Sequence, residues 1–170
     1  MRKIKPREIY PAILAVFFIQ MALGCFFGFT SVRPNLMIII TTFFALFTDR
    51  RSGFASGAAS GLLLDIFSIR TFGINTVLFA VTGYVVGRYN TKFYRASVIT
   101  HVIITFAVSL SILSLYFLFV NLRASFGLSP IGAGRVFHTS VVASSLLNAF
   151  LGPWIYAFLC RLFGLSEHEL

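Results

Sequence analysis

The sequence predicts an all-α integral membrane protein: six transmembrane helices forming a bundle, in one domain over residues 1–170. Three observations carry that expectation. The first is composition. Hydrophobic residues make up 58% of the chain, charged residues 11%, and phenylalanine alone contributes 21 positions. A soluble domain is roughly 45–50% apolar and about 25% charged. The second is that the apolar residues fall in runs, at 9–29, 34–48, 53–67, 73–87, 96–120 and 136–160. The third is the placement of the cations. If the runs alternate across a bilayer from a cytoplasmic N-terminus, ten of the 14 Lys and Arg residues lie in inner segments and four in outer ones. That bias orients membrane proteins, and it puts both termini in the cytoplasm.

Each run has its own character. The first follows a basic start (Arg2, Lys3, Lys5, Arg7) and is read as a retained helix. It is too long for a signal-peptide core, and no small-residue cleavage site follows it. The second opens on Pro34, a residue suited to the first helical position. The third is rich in Gly, Ala and Ser, and the fourth begins and ends with Gly. The three middle runs are shorter than the roughly 20 residues a span needs, so either they borrow interfacial residues and thin the bilayer locally, or some stop within it. The last two are long enough to cross with tilt. The segment 121–135 between them, with Gly127, Pro130, Gly132 and Gly134, reads as an irregular outer loop.

Several functions are excluded at this stage. The net charge of +9 would suggest nucleic acid in a soluble protein. Here the cations sit between apolar runs and form no basic face, so contact with anionic lipid is expected and nucleic acid is not. Two cysteines without a CxxC pair exclude a disulfide scaffold, and Cys25 and Cys160 fall near opposite membrane faces. His101 and His138 are likewise on opposite sides, which argues against a shared metal. Paired carboxylates, a Ser/His/Asp set at one depth, HExxH and a Walker loop are all absent, so no enzyme activity, cofactor or metal is expected. Trp154, Tyr10, Tyr84, Tyr89, Tyr94 and Tyr156 are expected to form an aromatic belt at the inner boundary. Gln20 and Asn148, inside helices one and six, are expected to make interhelical hydrogen bonds.

The most informative stretch is Gly53–Asp65. Gly53, Gly57, Gly61 and Asp65 recur every four residues, nearly one face of a helix. In lipid no hydrophobic effect draws helices together, so small residues matter because backbones can approach closely over them. The stripe therefore predicts packing against a neighbouring helix, or a groove for another protein's helix. Gly83 and Gly87 extend the same idea to helix four. Asp65 is the acidic residue within an apolar run, where a charge costs roughly 2.5–3.5 kcal/mol at the bilayer centre. Its candidate partners are Arg70 and Arg33, or the backbone N–H groups that start helix four near Gly73–Asn75. A proton or ion site and a part in partner recognition are the alternatives.

The run from Pro34 to Gly87 resembles the MreD family of bacterial rod shape-determining membrane proteins. The resemblance rests on Pro34-Asn35, Gly53, Gly57, Gly61-Leu-Leu-Leu-Asp65-Ile, Gly73-Ile-Asn75, Gly83-Tyr84 and Gly87. It implies a non-enzymatic scaffold in the bacterial inner membrane, within the machinery that elongates the rod-shaped cell wall. It implies MreC, a single-span protein, as partner. The MreB filament and the glycosyltransferase–transpeptidase pair that makes peptidoglycan would lie nearby. A second copy of the chain is a further candidate partner. The resemblance also implies a six-helix fold similar to the substrate-binding subunits of energy-coupling-factor vitamin transporters. That likeness supplies the alternative function, a substrate-binding subunit with polar groups (Asp65, Asn75, Arg33, Arg70 and Asn121) converging on an outer pocket.

Overall fold

The computed structural model describes residues 4, 6–26, 32–68, 72–89, 98–126 and 137–164. Among them the regular structure is helical: α1 (Pro6–Phe26), α2 (Leu36–Phe47), α3 (Arg50–Ile66), α4 (Ile74–Tyr89), α5 (Val98–Ser125) and α6 (Phe137–Phe163). Each apolar run contains a helix, but the ends differ from those expected. α1 begins earlier, with Pro6 at its first position, where the missing N–H costs nothing. α2 begins later than Pro34, because Asn35 caps it by accepting from the Ile38 N–H at 3.3 Å. α5 continues to Ser125, so Asn121–Ser125 belong to the helix and not to the irregular segment. α6 continues to Phe163 and takes in Arg161. Apolarity marks what lipid tolerates, whereas a helix runs on until something caps it.

α2 is the central element. It has 12 residues, about 18 Å at 1.5 Å per residue. Leu36 to Leu46 are all buried. A helix that is apolar on every side belongs in an interior, and α2 packs against each of the other helices. Around it α1, α3, α4, α5 and α6 follow one another, each packed on the next. Met37, Ile38, Ile39, Ile40, Phe43 and Phe44 form the middle of the core, with Phe17 from α1, Phe79 from α4 and Tyr156 from α6.

The helices alternate in direction, so their ends collect at two poles. At one pole Ile9 and Tyr10 share a cleft with Arg51 and Ser52. Gly87 lies against Arg50 there, His101 against Phe47, and Phe163 against Phe43 and Phe44. Arg7, Arg50, Arg51, Arg88 and Arg161 therefore gather at this pole. Arg33 and Arg123 are the described cations of the other. Three stretches are long and apolar enough to cross a membrane: Arg7–Cys25, Ile99–Arg123 and Ser140–Phe163. Most of each faces outward, as in Phe18, Ile103 and Phe158.

Burial around α2 leads to a direct expectation. In lipid, truncating a side chain leaves the hydrophobic transfer term almost unchanged, and the cavity term remains. At about 24 cal/mol per Å³, a hole of about 100 Å³ left by Phe43→Ala costs about 2 kcal/mol. Phe158→Ala, on the outward face, should cost much less. Thermal unfolding of both variants in detergent checks the difference.

Candidate functional site

Two buried polar constructions and one seam hold this bundle together. The seam joins α3 to α4. The faces of the two antiparallel helices meet backbone to backbone at a fixed register. A Cβ on Gly53 would lie 2.5 Å from the carbonyl oxygen of Gly83 and 3.3 Å from the Ala45 Cα of α2. A Cβ on Gly57 would overlap the Phe79 carbonyl, and one on Gly61 the Asn75 carbonyl. From the other side, a Cβ on Gly83 would strike the Gly53 carbonyl, and one on Gly87 would come within 3.1 Å of the Arg50 Cα. All five glycines that the sequence singles out thus lie in this one contact. α4 fills the stripe, so a helix from another protein does not reach it.

The stripe has a fourth member, and the register explains why it is not glycine. Stepping four residues along α3 from Gly61 moves the facing position past the first residue of α4. Asp65 therefore meets the open end of α4 and not its flank. Its Oδ1 accepts from the Asn75 N–H at 3.2 Å and from Asn75 Nδ2 at 2.9 Å. Its Oδ2 accepts from the Thr76 N–H at 2.8 Å and from Thr76 Oγ1 at 2.6 Å. The carboxylate is fully buried. It satisfies two orphan N–H groups of the first turn and lies at the positive end of the helix dipole. Gly73, at φ +92°, turns the chain into this helix start in a conformation L side chains rarely adopt. The partners of Asp65 are therefore Asn75 and Thr76. Arg33 is exposed, at the start of α2, and its backbone N–H donates to Ser144 Oγ at 3.2 Å. Arg70 lies outside the described residues.

The second construction closes the N-terminus of α2. Gln20 of α1 accepts from the Leu36 N–H at 2.7 Å and donates through Nε2 to the Pro34 carbonyl at 3.1 Å. Asn148 of α6 accepts from the Asn35 N–H at 2.8 Å and donates to Ser109 Oγ of α5 at 3.1 Å. Three helices thus converge on one helix start. Gln20 and Asn148 reach each other's neighbourhood through the backbone of Pro34–Leu36, a meeting that residue spacing does not signal. Ser109 and Ser144 had no separate signal beyond lying on inward faces.

Toward the cation-rich pole the interior holds a ring stack. His101 lies 4.7 Å from Tyr156, centroid to centroid, at 21°. Phe47 flanks His101 at 6.1 Å, and Phe43 flanks Tyr156 at 5.4 Å. Thr105 Oγ1 donates to Tyr156 Oη at 3.5 Å. This corrects the expected aromatic belt at one member. Tyr156 is fully buried among the helices, whereas Tyr10, Tyr84, Tyr89 and Trp154 are exposed. Helical spacing decides the matter, since Tyr156 shares the inward face of Asn148 and Gly152. Tyr94 and the His138 side chain lie outside the described residues. Cys25 is exposed and Cys160 buried, and neither forms a disulfide among the described residues.

A helical molecule with three membrane-length apolar stretches, whose buried carboxylate and amides hold helix ends together, is a membrane protein built around its own packing. The family model for the rod shape-determining protein MreD matches residues 1–162, and the chain belongs to that family. It is thereby a rod shape-determining membrane protein. No solved structure matches it.

The two sites respond differently to substitution. Gly57→Ala forces α3 and α4 apart and should cost about 1–3 kcal/mol of stability, the usual penalty of overpacking. Gly24→Ala meets nothing within 4 Å and should cost little. Asp65→Asn keeps one acceptor oxygen and should be intermediate. Asp65→Leu strands both N–H groups at about 1–3 kcal/mol each and should be the harsher of the two. Melting temperatures in one detergent rank all four variants.

Proposed function

We propose that this chain is a non-enzymatic scaffold of the bacterial cell-elongation complex. It binds the transmembrane region of MreC and through it helps organise peptidoglycan synthesis and rod shape. The glycosyltransferase, the transpeptidase and MreB are the further partners, reached directly or through MreC. In this reading all six helices span the inner membrane as one domain, with both termini and the cation-rich pole in the cytoplasm. The likeness to energy-coupling-factor substrate-binding subunits belongs to the same proposal.

Membership of the MreD family carries the reading. The placement of the polar residues supports it. A transported vitamin needs a cavity in which several polar groups converge. Asp65 and Asn75 are instead engaged with each other at a helix start, and the Arg33 backbone N–H donates to Ser144 of α6. A cavity of about 490 Å³ between α4 and α5 has Val77, Leu78, Leu115, Leu118 and Phe119 among its walls, an apolar surface that offers such a substrate no hydrogen bonds. Since α4 fills the glycine stripe, MreC is proposed to meet an outward face of the bundle.

The test is purification of the tagged full-length chain from native membranes. MreC should accompany it, and depletion of the chain should turn rods into round cells. Absence of MreC from a folded, membrane-inserted preparation overturns the scaffold proposal. The orientation has its own test, in a background where Cys25 and Cys160 are replaced. Single cysteines at Lys3 and Ser166 should both label from the cytoplasmic side, and labelling from opposite sides overturns the six-span arrangement.

A further inference from the structure

The cation-rich pole carries a cleft of about 180 Å³ between the first turns of α1 and α3. Ile9 and Tyr10 form one wall, and Arg51, Ser52, Ala55 and Ser56 the other. The lining is divided by depth. Ile9 and Ser56 are buried, and the Ser56 hydroxyl is turned into its own helix, donating to the Gly53 carbonyl at 3.0 Å. Tyr10 and Arg51 are exposed at the mouth. The cleft is thus amphiphilic, with a cation and a phenol at the rim and little polarity at the floor.

The local electrostatics favour a further anion beside Arg51. The first turn of α3 holds Arg50 and Arg51 and no acidic residue, and the Asp49 side chain makes no capping hydrogen bond. Cations at a helix N-terminus oppose the helix dipole, and acidic groups are the ones favoured there. Arg50 is turned toward the ring of Tyr84, 5.6 Å from its centroid. Among the described residues no carboxylate pairs with Arg51. Arg7, Arg88 and Arg161 at the same pole add to the positive field, against Glu8 and Asp49.

We propose that this cleft seats the headgroup of an anionic phospholipid. Arg51 and Ser52 take the phosphate, Tyr10 lies at the level of the ester groups, and the glycerol end rests over Ile9 and Ala55. A tyrosine at the end of a membrane-length helix, here Tyr10 of α1, and a cation beside it are groups that meet lipid headgroups. A free phosphate would share the Arg51 contact but gain nothing from the apolar floor. The proposal rests on the membrane reading of the bundle and not on the MreC assignment, so each can fail alone.

The experiment is native mass spectrometry of the full-length chain in detergent, with phosphatidylglycerol or phosphatidylcholine added. Phosphatidylglycerol should be retained in preference. Arg51→Gln should lower its retention about five-fold, the value of one surface cation at an anionic membrane. Tyr10→Leu, in the opposite wall, should lower it as well, so the proposal stays testable should either variant misfold. Arg88→Gln, at the same pole outside the cleft, should leave it unchanged. Equal retention by wild type and a folded Arg51→Gln overturns the proposal. So does equal loss in Arg88→Gln, which means diffuse charge attraction. Displacement of the lipid by excess inorganic phosphate alone also overturns it, by making the ligand a free anion.

Discussion

A helix end that cannot reach water must find its hydrogen-bond partners inside the protein. That constraint governs this molecule more than any single contact. Unsatisfied backbone groups cost several kcal/mol each in hydrocarbon. α2 is only 12 residues long, so in a bilayer about 30 Å thick its ends lie short of the headgroups unless the bilayer thins around it. Its first turn is accordingly served from outside itself, by Gln20 of α1 and Asn148 of α6. The first turn of α4 is served by Asp65 of α3. In both places a side chain from one helix completes the backbone of another. Helix positions are therefore coupled through hydrogen bonds as well as through packing.

The glycine seam makes the second coupling possible. A carboxylate on a short side chain reaches the α4 N-terminus because the α3 and α4 backbones touch along their whole contact. Close approach also lets many weak dispersion contacts form, the main attraction available to helices in lipid. The seam and the cap are thus one device. The small residues set the distance, and Asp65 sets how far along each other the two helices lie. A slip of one turn would bury a carboxylate against a helix flank and expose two N–H groups. Electrostatics therefore forbids alternatives that the smooth glycine surface would otherwise allow.

Much of this was legible in the sequence, and the reason differs from place to place. Six helices could be read because apolar runs and cations report the solvent directly. The seam could be read because spacing of four residues is a helical period, and Gly83 and Gly87 repeat it on the partner. Asp65 was narrowed to a pair of arginines or a helix start, and the register then decides for the helix start. What could not be read was depth. Tyr156 has the composition of a belt residue, but its inward face puts it beside His101. The central position of α2 was also hidden, because lipid and protein interior are alike apolar and hydropathy does not tell them apart. Nor could spacing reveal that Gln20 and Asn148, 128 positions apart in the chain, converge on the same helix start.

These placements bear on what a partner can recognise. The interior is occupied by groups that hold helix ends, and the tightest surface, the glycine seam, is closed by the chain itself. Recognition is left to the outside: apolar side chains along the helices, and arginines at one pole. Apolar surface in a bilayer competes with lipid for every contact, so it gives little selectivity unless shape adds it. Charge at the pole gives orientation but little geometric precision, because exposed ion pairs contribute about 0–1 kcal/mol. On the proposed scaffold reading, a protein with only these means gains specificity from rigidity. Surfaces that cannot rearrange present one shape, and a partner that fits it need not order anything on binding. The caps and the seam supply that rigidity, so on the scaffold reading residues far from any outward face matter to assembly through the shape they hold.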